Sequence, residues 1–463
     1  MPADPVFDVV VVGAGVVGCA VARELSRLTL SVALIEARND VGAGTSKANT
    51  AILHTGFDAT PGSVESRLVA RGYQLLREYA PSVGVSVEHT GAVLVSWDDE
   101  QAANLLRLAE KATANGYDRA VVIDAAAVRA LEPHLGEGVT GGMVVPDEHL
   151  IDPWSTPIAF ATEAVTNGCR LFTNLHVTKL DVGPEATCLI AEDGRKVLAR
   201  FVVNAAGLHG DTLHRLFGFD GFTIRPRRGE LIVFDKLARP LLGRTILPVP
   251  TSHTKGVLVA PTVFGNIMLG PTADDIDDRS ATGSTRAGLN SLLQKGHRIL
   301  PALLGEEVTA VYAGLRAATE HSDYQLTSDG AARYVCLGGI RSTGLTASMA
   351  LGEEAVAMLS AIGLYATPRD ASTLSPVRLT PLGEGDARPY QTGGTVICHC
   401  ERVTSAEIDV AIASAVPAHD LDGLRRRTRA LAGRCQGFYC AAEVCAHAAV
   451  ASDRPMSEWM GLP

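Results

Sequence analysis

The chain has 463 residues and a formal net charge of -10, so it is expected to hold two or three packed units with room for a large ligand. Its excess of acid over base excludes the basic surface by which nucleic acid or anionic lipid is bound. No apolar run reaches the roughly 18 residues of a spanning helix, and the N-terminus lacks the basic head of a secretion signal. The expected location is therefore the cytoplasm, with a peripheral position at the inner face of the cell membrane reached only through a partner.

In chain order, the first signal is the apolar run Phe7 to Val12, read as a buried parallel strand. Gly13, Gly15 and Gly18 follow it as G-x-G-x-x-G and open a helix running to about Leu28, and Val32 to Ile35 form the next strand. Missing Cβ atoms at these positions permit a tight turn, a close pyrophosphate, and a helix seated hard on its strand. Glu36 ends the second strand, where a carboxylate accepts hydrogen bonds from adenosine ribose hydroxyls and repels a 2'-phosphate. The pattern predicts a dinucleotide other than NADP. It does not separate FAD from NAD.

Phe201 to Gly207, and Tyr334 to Gly339 with the alanine-rich stretch to about Ile362, read as later strands and a helix of the same sheet, so that sheet is assembled from distant segments. Residues 85–140 and 220–320 read as an α+β region lying over the ligand. From Ala366 to Thr395 the chain is rich in Pro, Gly, Asp and Thr without an apolar period, and reads as a linker.

Five of the nine cysteines crowd the C-terminal segment. In a cytosolic chain that points to metal rather than disulfides. Cys398-His-Cys400 and Cys435-x4-Cys440 form two short thiolate pairs. Between them Thr404 and Glu407 make a capping box, Ile408, Ala411, Ile412 and Ala415 supply an apolar stripe, and a second helix is expected near Asp420. Spacing alone leaves zinc and an iron-sulfur cluster both open. Arg425, Arg426, Arg427, Arg429 and Arg434 fit either a counter-charge for the thiolates or a solvated helix face. Cys445 reads as a packed helix cysteine and His399 as a surface residue.

Further segments carry a resemblance. Gly44-Thr-Ser-Lys-Ala-Asn-Thr-Ala-Ile-Leu-His54-Thr-Gly-Phe-Asp58, Asn204-Ala-Ala-Gly207 and Gly338-Gly-Ile-Arg-Ser-Thr-Gly-Leu-Thr-Ala347 resemble the flavin-binding segments of the D-amino-acid oxidase superfamily. Within it, the run from His54 to Gly62, Arg227-Arg-Gly-Glu230, the run from Lys255 to Thr262, and Gly270-Pro-Thr-Ala273 are similar to the FAD-dependent glycerol-3-phosphate dehydrogenases and oxidases. L-2-hydroxyglutarate dehydrogenases share part of the pattern. The resemblance implies FAD, contacted by Gly13, Gly15, Gly18, Glu36, Thr45, Ser46, Asn49, Val177, Gly207, Gly339, Arg341, Gly344, Leu345 and Thr346. It also implies His54 as base for the substrate hydroxyl and Lys255 and Arg316 as cations for an anionic substrate, with Arg227 and Arg228 bracing the domain interface. Cys398-x-Cys400, Leu424-Arg-Arg-Arg-Thr-Arg429 and Cys435-Gln-Gly-x-x-Cys440 resemble the bacterioferritin-associated-ferredoxin-like domain. That implies a [2Fe-2S] cluster on Cys398, Cys400, Cys435 and Cys440.

The expected architecture is α/β and α+β: a Rossmann-type FAD-binding domain (about 1–84, 141–219 and 321–364) interleaved with an antiparallel-sheet substrate domain (about 85–140 and 220–320). A linker (365–395), a small helical iron-sulfur domain (396–450) and a tail (451–463) complete it. The implied activity is oxidation of sn-glycerol 3-phosphate to dihydroxyacetone phosphate, with electrons leaving through FAD and the cluster to an electron-accepting subunit or quinone-linked partner. Oxidation of an L-2-hydroxy acid or another polyol phosphate is the alternative chemistry. A subunit that relays electrons without turnover of its own is the alternative class.

Overall fold

A computed structural model describes residues 5–250, 256–385 and 393–460. Strand β1 (Val6–Val12) is apolar apart from Asp8 because both of its faces are covered from Val9 onward: Val9 and Val11 enter one core and Phe7, Val10 and Val12 the other. It pairs in parallel with β2 (Val32–Ile35) on one side and with the strand Lys196–Asn204 on the other. Tyr334–Gly338 continues the parallel order beside Val202 to Asn204, so the last strand of the sheet comes from far along the chain. This is the interleaving expected from sequence. The full sheet has eight strands, and an antiparallel hairpin joins the other half of Lys196–Asn204.

Three helices cover one face: α1 (Val16–Ser26), Ser155–Thr166 and Gly344–Ala361. A Cβ on Gly352 would stand 3.0 Å from the carbonyl oxygen of Ala20, so glycine sets the crossing of the last helix with α1. Buried Glu163 locks this layer by accepting from Arg23 Nε at 2.8 Å and the Tyr79 hydroxyl at 2.9 Å. Tyr79 belongs to α2 (Val64–Val83), which packs against Gly344–Ala361 in turn.

A second, nine-stranded sheet is antiparallel except where Thr245–Pro248 pairs with Ala92–Ser96. Its longest ladder pairs Arg225–Phe234 with Val308–Ala318. Arg227 and Arg228 differ from the expectation that they brace the domain interface. Arg227 pairs with Asp275 within this sheet at 2.6 Å, and Arg228 lies 3.7 Å from Glu230 on its own strand.

Two other segments depart from their compositional reading. The described part of the expected linker lies as a strap along the body: Arg369 donates to the Asn167 carbonyl, the Leu379 N–H to Val83, and the Glu384 N–H to Val263. Polar composition hid this because the strap is held largely by bonds to backbone groups, with Leu382 and Gly383 alone buried among its described residues. The expected tail forms the helix Met456–Trp459, and Trp459, 1% exposed, closes the core of the C-terminal unit formed by Ile397, Val403, Ile408, Leu424 and Val444. Trp459→Ala is expected to cost about 3–5 kcal/mol. Hydrogen exchange should show the loss in residues 393–460 while the two large sheets keep their protection.

Candidate functional site

The glycine turn is shaped by collisions a side chain would cause. Gly13 has φ +101°, and a Cβ there would lie 2.6 Å from the Ala205 carbonyl oxygen; on Gly18 it would lie 1.8 Å from that of Gly13. A Cβ on Gly15 would meet Ser46 Oγ at 3.3 Å, and that hydroxyl accepts from Val16 N–H at 2.9 Å. Glu36 accepts from the N–H groups of Ala14 at 2.8 Å and Arg38 at 2.9 Å. Burial raises its carboxyl above the ordinary range against the pull of these amides. Strand end, glycine turn and buried acid are thereby assembled in the arrangement of a dinucleotide cradle.

The loop from Thr45 to Asn49 lies across the edge of the second sheet. Thr45 donates to the Leu315 carbonyl at 2.8 Å, Asn49 Nδ2 to Ser46 O at 2.7 Å, and the Tyr312 hydroxyl to Asn49 O at 3.1 Å. Across the cradle, Gly339 takes φ +67° and Arg341 donates to the Ser322 carbonyl at 2.7 Å. Gly344 and half-buried Leu345 begin the helix that Thr346 joins to the loop side, accepting from the His54 N–H at 3.0 Å. Gly207 has φ +54° at the end of the central strand region. Val177 begins the outer hairpin and pairs with Ala191. The structure thus brings Thr45, Ser46, Asn49, His54 and Thr346 into one connected set, while Val177 stands apart on the hairpin.

His54 is held by a residue for which the sequence offered no signal. Glu148, fully buried in a turn, lies 3.1 Å from His54 Nδ1 through one carboxylate oxygen, and its other oxygen accepts from Thr55 N–H at 2.7 Å and Thr55 Oγ1 at 2.8 Å. An ionised carboxylate only accepts, so it fixes the proton of a neutral imidazole on Nδ1 and leaves the lone pair on Nε2.

Arg316 is the electrostatic exception of the region. Its contact to Thr272 O is long, at 3.4 Å, and no carboxylate pairs with it among the described residues. Desolvation, with Arg227 nearby, pushes its pKa down to about 10. A guanidinium in this state gains from an anionic ligand. Lys255 lies outside the described residues.

In the C-terminal unit, Cys400 and Cys435 interact through their side chains, as do Cys398 and Cys440. Among the described residues no three metal-binding side chains converge on a point for one ion. Two pairs of thiols supply the four thiolates that a two-iron cluster takes. Burial would raise the Cys435 thiol, but the amides of Tyr439, Gly437 and Phe438 and the Cys400 side chain bring it below its ordinary value. Gly433 permits the two loops to meet, since a Cβ there would lie 2.3 Å from Cys400 Cβ. Cys445 is buried and its Sγ lies 3.5 Å from Met456 O, while His399 is exposed. The arginine run is no solvated face: Arg426 and Arg429 are buried, and only Arg434 is exposed.

Residues 8–358 match the family model "FAD dependent oxidoreductase", and residues 396–446 match the "BFD-like [2Fe-2S] binding domain". A glycerol 3-phosphate dehydrogenase of Caloramator mitchellensis is 33% identical over 95% of this chain and 93% of its own length. A glycerol 3-phosphate oxidase of Mycoplasma pneumoniae is 30% identical over 76% of this chain and 94% of its own. The solved structure of L-α-glycerophosphate oxidase from Mycoplasma pneumoniae, reduced with dithionite and with FAD bound, superposes with a TM-score of 0.74 at 28% identity, covering 79% of this chain and 97% of that one. The chain belongs to the FAD dependent oxidoreductase family, as a flavoprotein that carries a BFD-like [2Fe-2S] domain at its C-terminal end.

Proposed function

We propose that this chain oxidises sn-glycerol 3-phosphate to dihydroxyacetone phosphate and delivers the electrons, by way of FAD and the [2Fe-2S] cluster, to an electron-accepting subunit or quinone-linked partner. Arg316 is the observation that carries the reading, because a desolvated guanidinium with no carboxylate partner among the described residues suits a substrate that brings its own negative charge. Glycerol 3-phosphate is named in the relatives that match the chain over most of its length. FAD supplies the hydride acceptor when bound. The chain's own residues then have three tasks: Arg316 holds the anion, His54 takes the hydroxyl proton at Nε2, and Glu148 holds the imidazole in the required tautomer.

Anaerobic titration with glycerol 3-phosphate tests the reading. Flavin absorbance near about 450 nm should bleach. Bleaching only by L-2-hydroxyglutarate would reassign the substrate, and no bleaching by any hydroxy acid or polyol phosphate would leave a relay subunit. Arg316→Ala is expected to raise KM by about 10–100-fold, with partial recovery in Arg316→Lys, as loss of a charged hydrogen bond requires. In stopped-flow flavin reduction His54→Gln should slow the reaction by about 10²–10⁴, and Glu148→Gln by about tenfold, without loss of bound flavin. For the cluster, Gly433→Ala should lower iron and acid-labile sulfide per chain while leaving the flavin spectrum unchanged.

A further inference from the structure

The stretch from Glu36 to Lys47 joins the ribose-facing acid to the Thr45–Asn49 loop, and the C-terminal unit grips it at four points. Asp40 is 1% exposed, and Arg427 closes on both of its oxygens at 2.7 and 2.8 Å. Arg426 also reaches the Asp40 carboxylate and donates to the Val41 carbonyl. Asn39 Nδ2 meets Asp420 at 2.6 Å, and Lys47 Nζ meets Asp422 at 2.9 Å. All four partners belong to the helix Leu421–Thr428 or to its cap, Asp420.

These contacts border an open groove of about 720 Å³ whose lining includes Arg38, Asn39, Lys47, Asn174, Asp420 and Asp422. Arg38 and Asn174 follow the carboxyl ends of β2 and its parallel neighbour Arg170–Phe172. In an open α/β sheet the adenosine half of a dinucleotide lies beyond those strand ends, next to the ribose-facing acid. One wall of that groove is therefore built by the cluster domain.

We propose that Asp420, Asp422, Arg426 and Arg427 of the cluster domain are positioning residues of the FAD site, so that the docked domain holds the adenosine side of the cradle closed. The physical reason is the burial of both partners. Removing Arg427 leaves a buried carboxylate only half compensated, and removing the Asp40 charge leaves the Arg427 guanidinium without its anion and Arg426 with Asp422 at 3.4 Å alone, so in either case residues 39–44 shift. A loop pinned at Asp40 and Lys47 has no such freedom while the domain is docked. The inference rests on FAD being the ligand of the cradle.

The test uses the full-length holoprotein with both cofactors, and the rate of FAD release after dilution, followed by the rise of free-flavin fluorescence. The wild-type flavin spectrum is read first, since a purified chain without FAD would defeat the ligand assignment itself rather than the role of the wall. Release should accelerate about tenfold or more in Arg427→Ala and in Asp40→Asn, return most of the way in Arg427→Lys, and stay unchanged in Arg67→Ala, which breaks an exposed pair between Arg67 on α2 and Glu354 on the helix Gly344–Ala361. The proposal is overturned if both variants release FAD at the wild-type rate while hydrogen exchange shows residues 39–44 and 421–428 deprotected. Should those variants fail to fold, Asp422→Asn carries the test, because its pair with Lys47 is partly exposed. Faster release there supports the wall, and an unchanged rate overturns it.

Discussion

The position of α1 against the end of β1 governs the molecule. No side chain separates them at Gly18, where an added Cβ would fall 1.8 Å from the Gly13 carbonyl oxygen, and Gly13 in turn lies against Ala205, which follows the strand Lys196–Asn204. Two segments distant in sequence are thereby held within backbone contact. That closeness aims the first helical amides at one point, sets Glu36 where it accepts from Ala14, and starts the 39–47 stretch on its path under the C-terminal unit. A helix displaced by one methyl group would move all of these together, since packed interiors relax poorly.

Charge is distributed around this frame in two different ways. Most buried ions are matched: Glu163 with Arg23, Asp40 with Arg426 and Arg427, Glu401 with Arg429 and Lys236. Matched buried pairs add little net stability but are costly to break, so they fix geometry more than they strengthen the fold. Arg316 follows the other rule. Among the described residues no carboxylate pairs with it, and desolvation with Arg227 nearby lowers its pKa. The contrast distinguishes ions that hold elements together from one suited to a ligand.

The sequence disclosed what rests on local pattern. The strand, glycine turn, helix and acid of the cradle were readable because each needs particular residue types at fixed spacing, and the capping box at Thr404 and Glu407 appears as expected. It did not disclose what depends on distant pairing. Glu148 stands in an unremarkable Pro-Asp-Glu turn, yet the antiparallel pairing of Ile52–Leu53 with His149–Ile151 brings it to His54. Asp40 gives no signal that its partners lie some way along the chain, and the arginine run left its own meaning undecided between counter-charge and solvated face. Trp459 was hidden by its position after a helix end, where polar residues suggested a tail.

The C-terminal unit has two unlike sides, and the difference follows from its small size. Its docked side turns charged groups toward the large domain, among them Glu401, Arg434 and the Arg429 guanidinium, which lies 4.1 Å from the Phe264 ring and 5.4 Å from that of Trp154, whose indole donates to the Lys47 carbonyl. Its surface elsewhere carries the loop of Phe438 and Tyr439, which are 84% and 80% exposed and touch edge to face. Left-handed backbone at Arg402, Arg429, Leu431 and Gln436 surrounds the four thiols, a concentration of costly conformations that a loop keeps only when its surroundings enforce them. Docking supplies part of that enforcement, because Arg429 is held at once by Glu401 and by the two rings of the flavin domain. One interface therefore has two tasks: Asp420, Asp422, Arg426 and Arg427 pin the 39–47 stretch, while Arg429 ties the cysteine loops to the large domain.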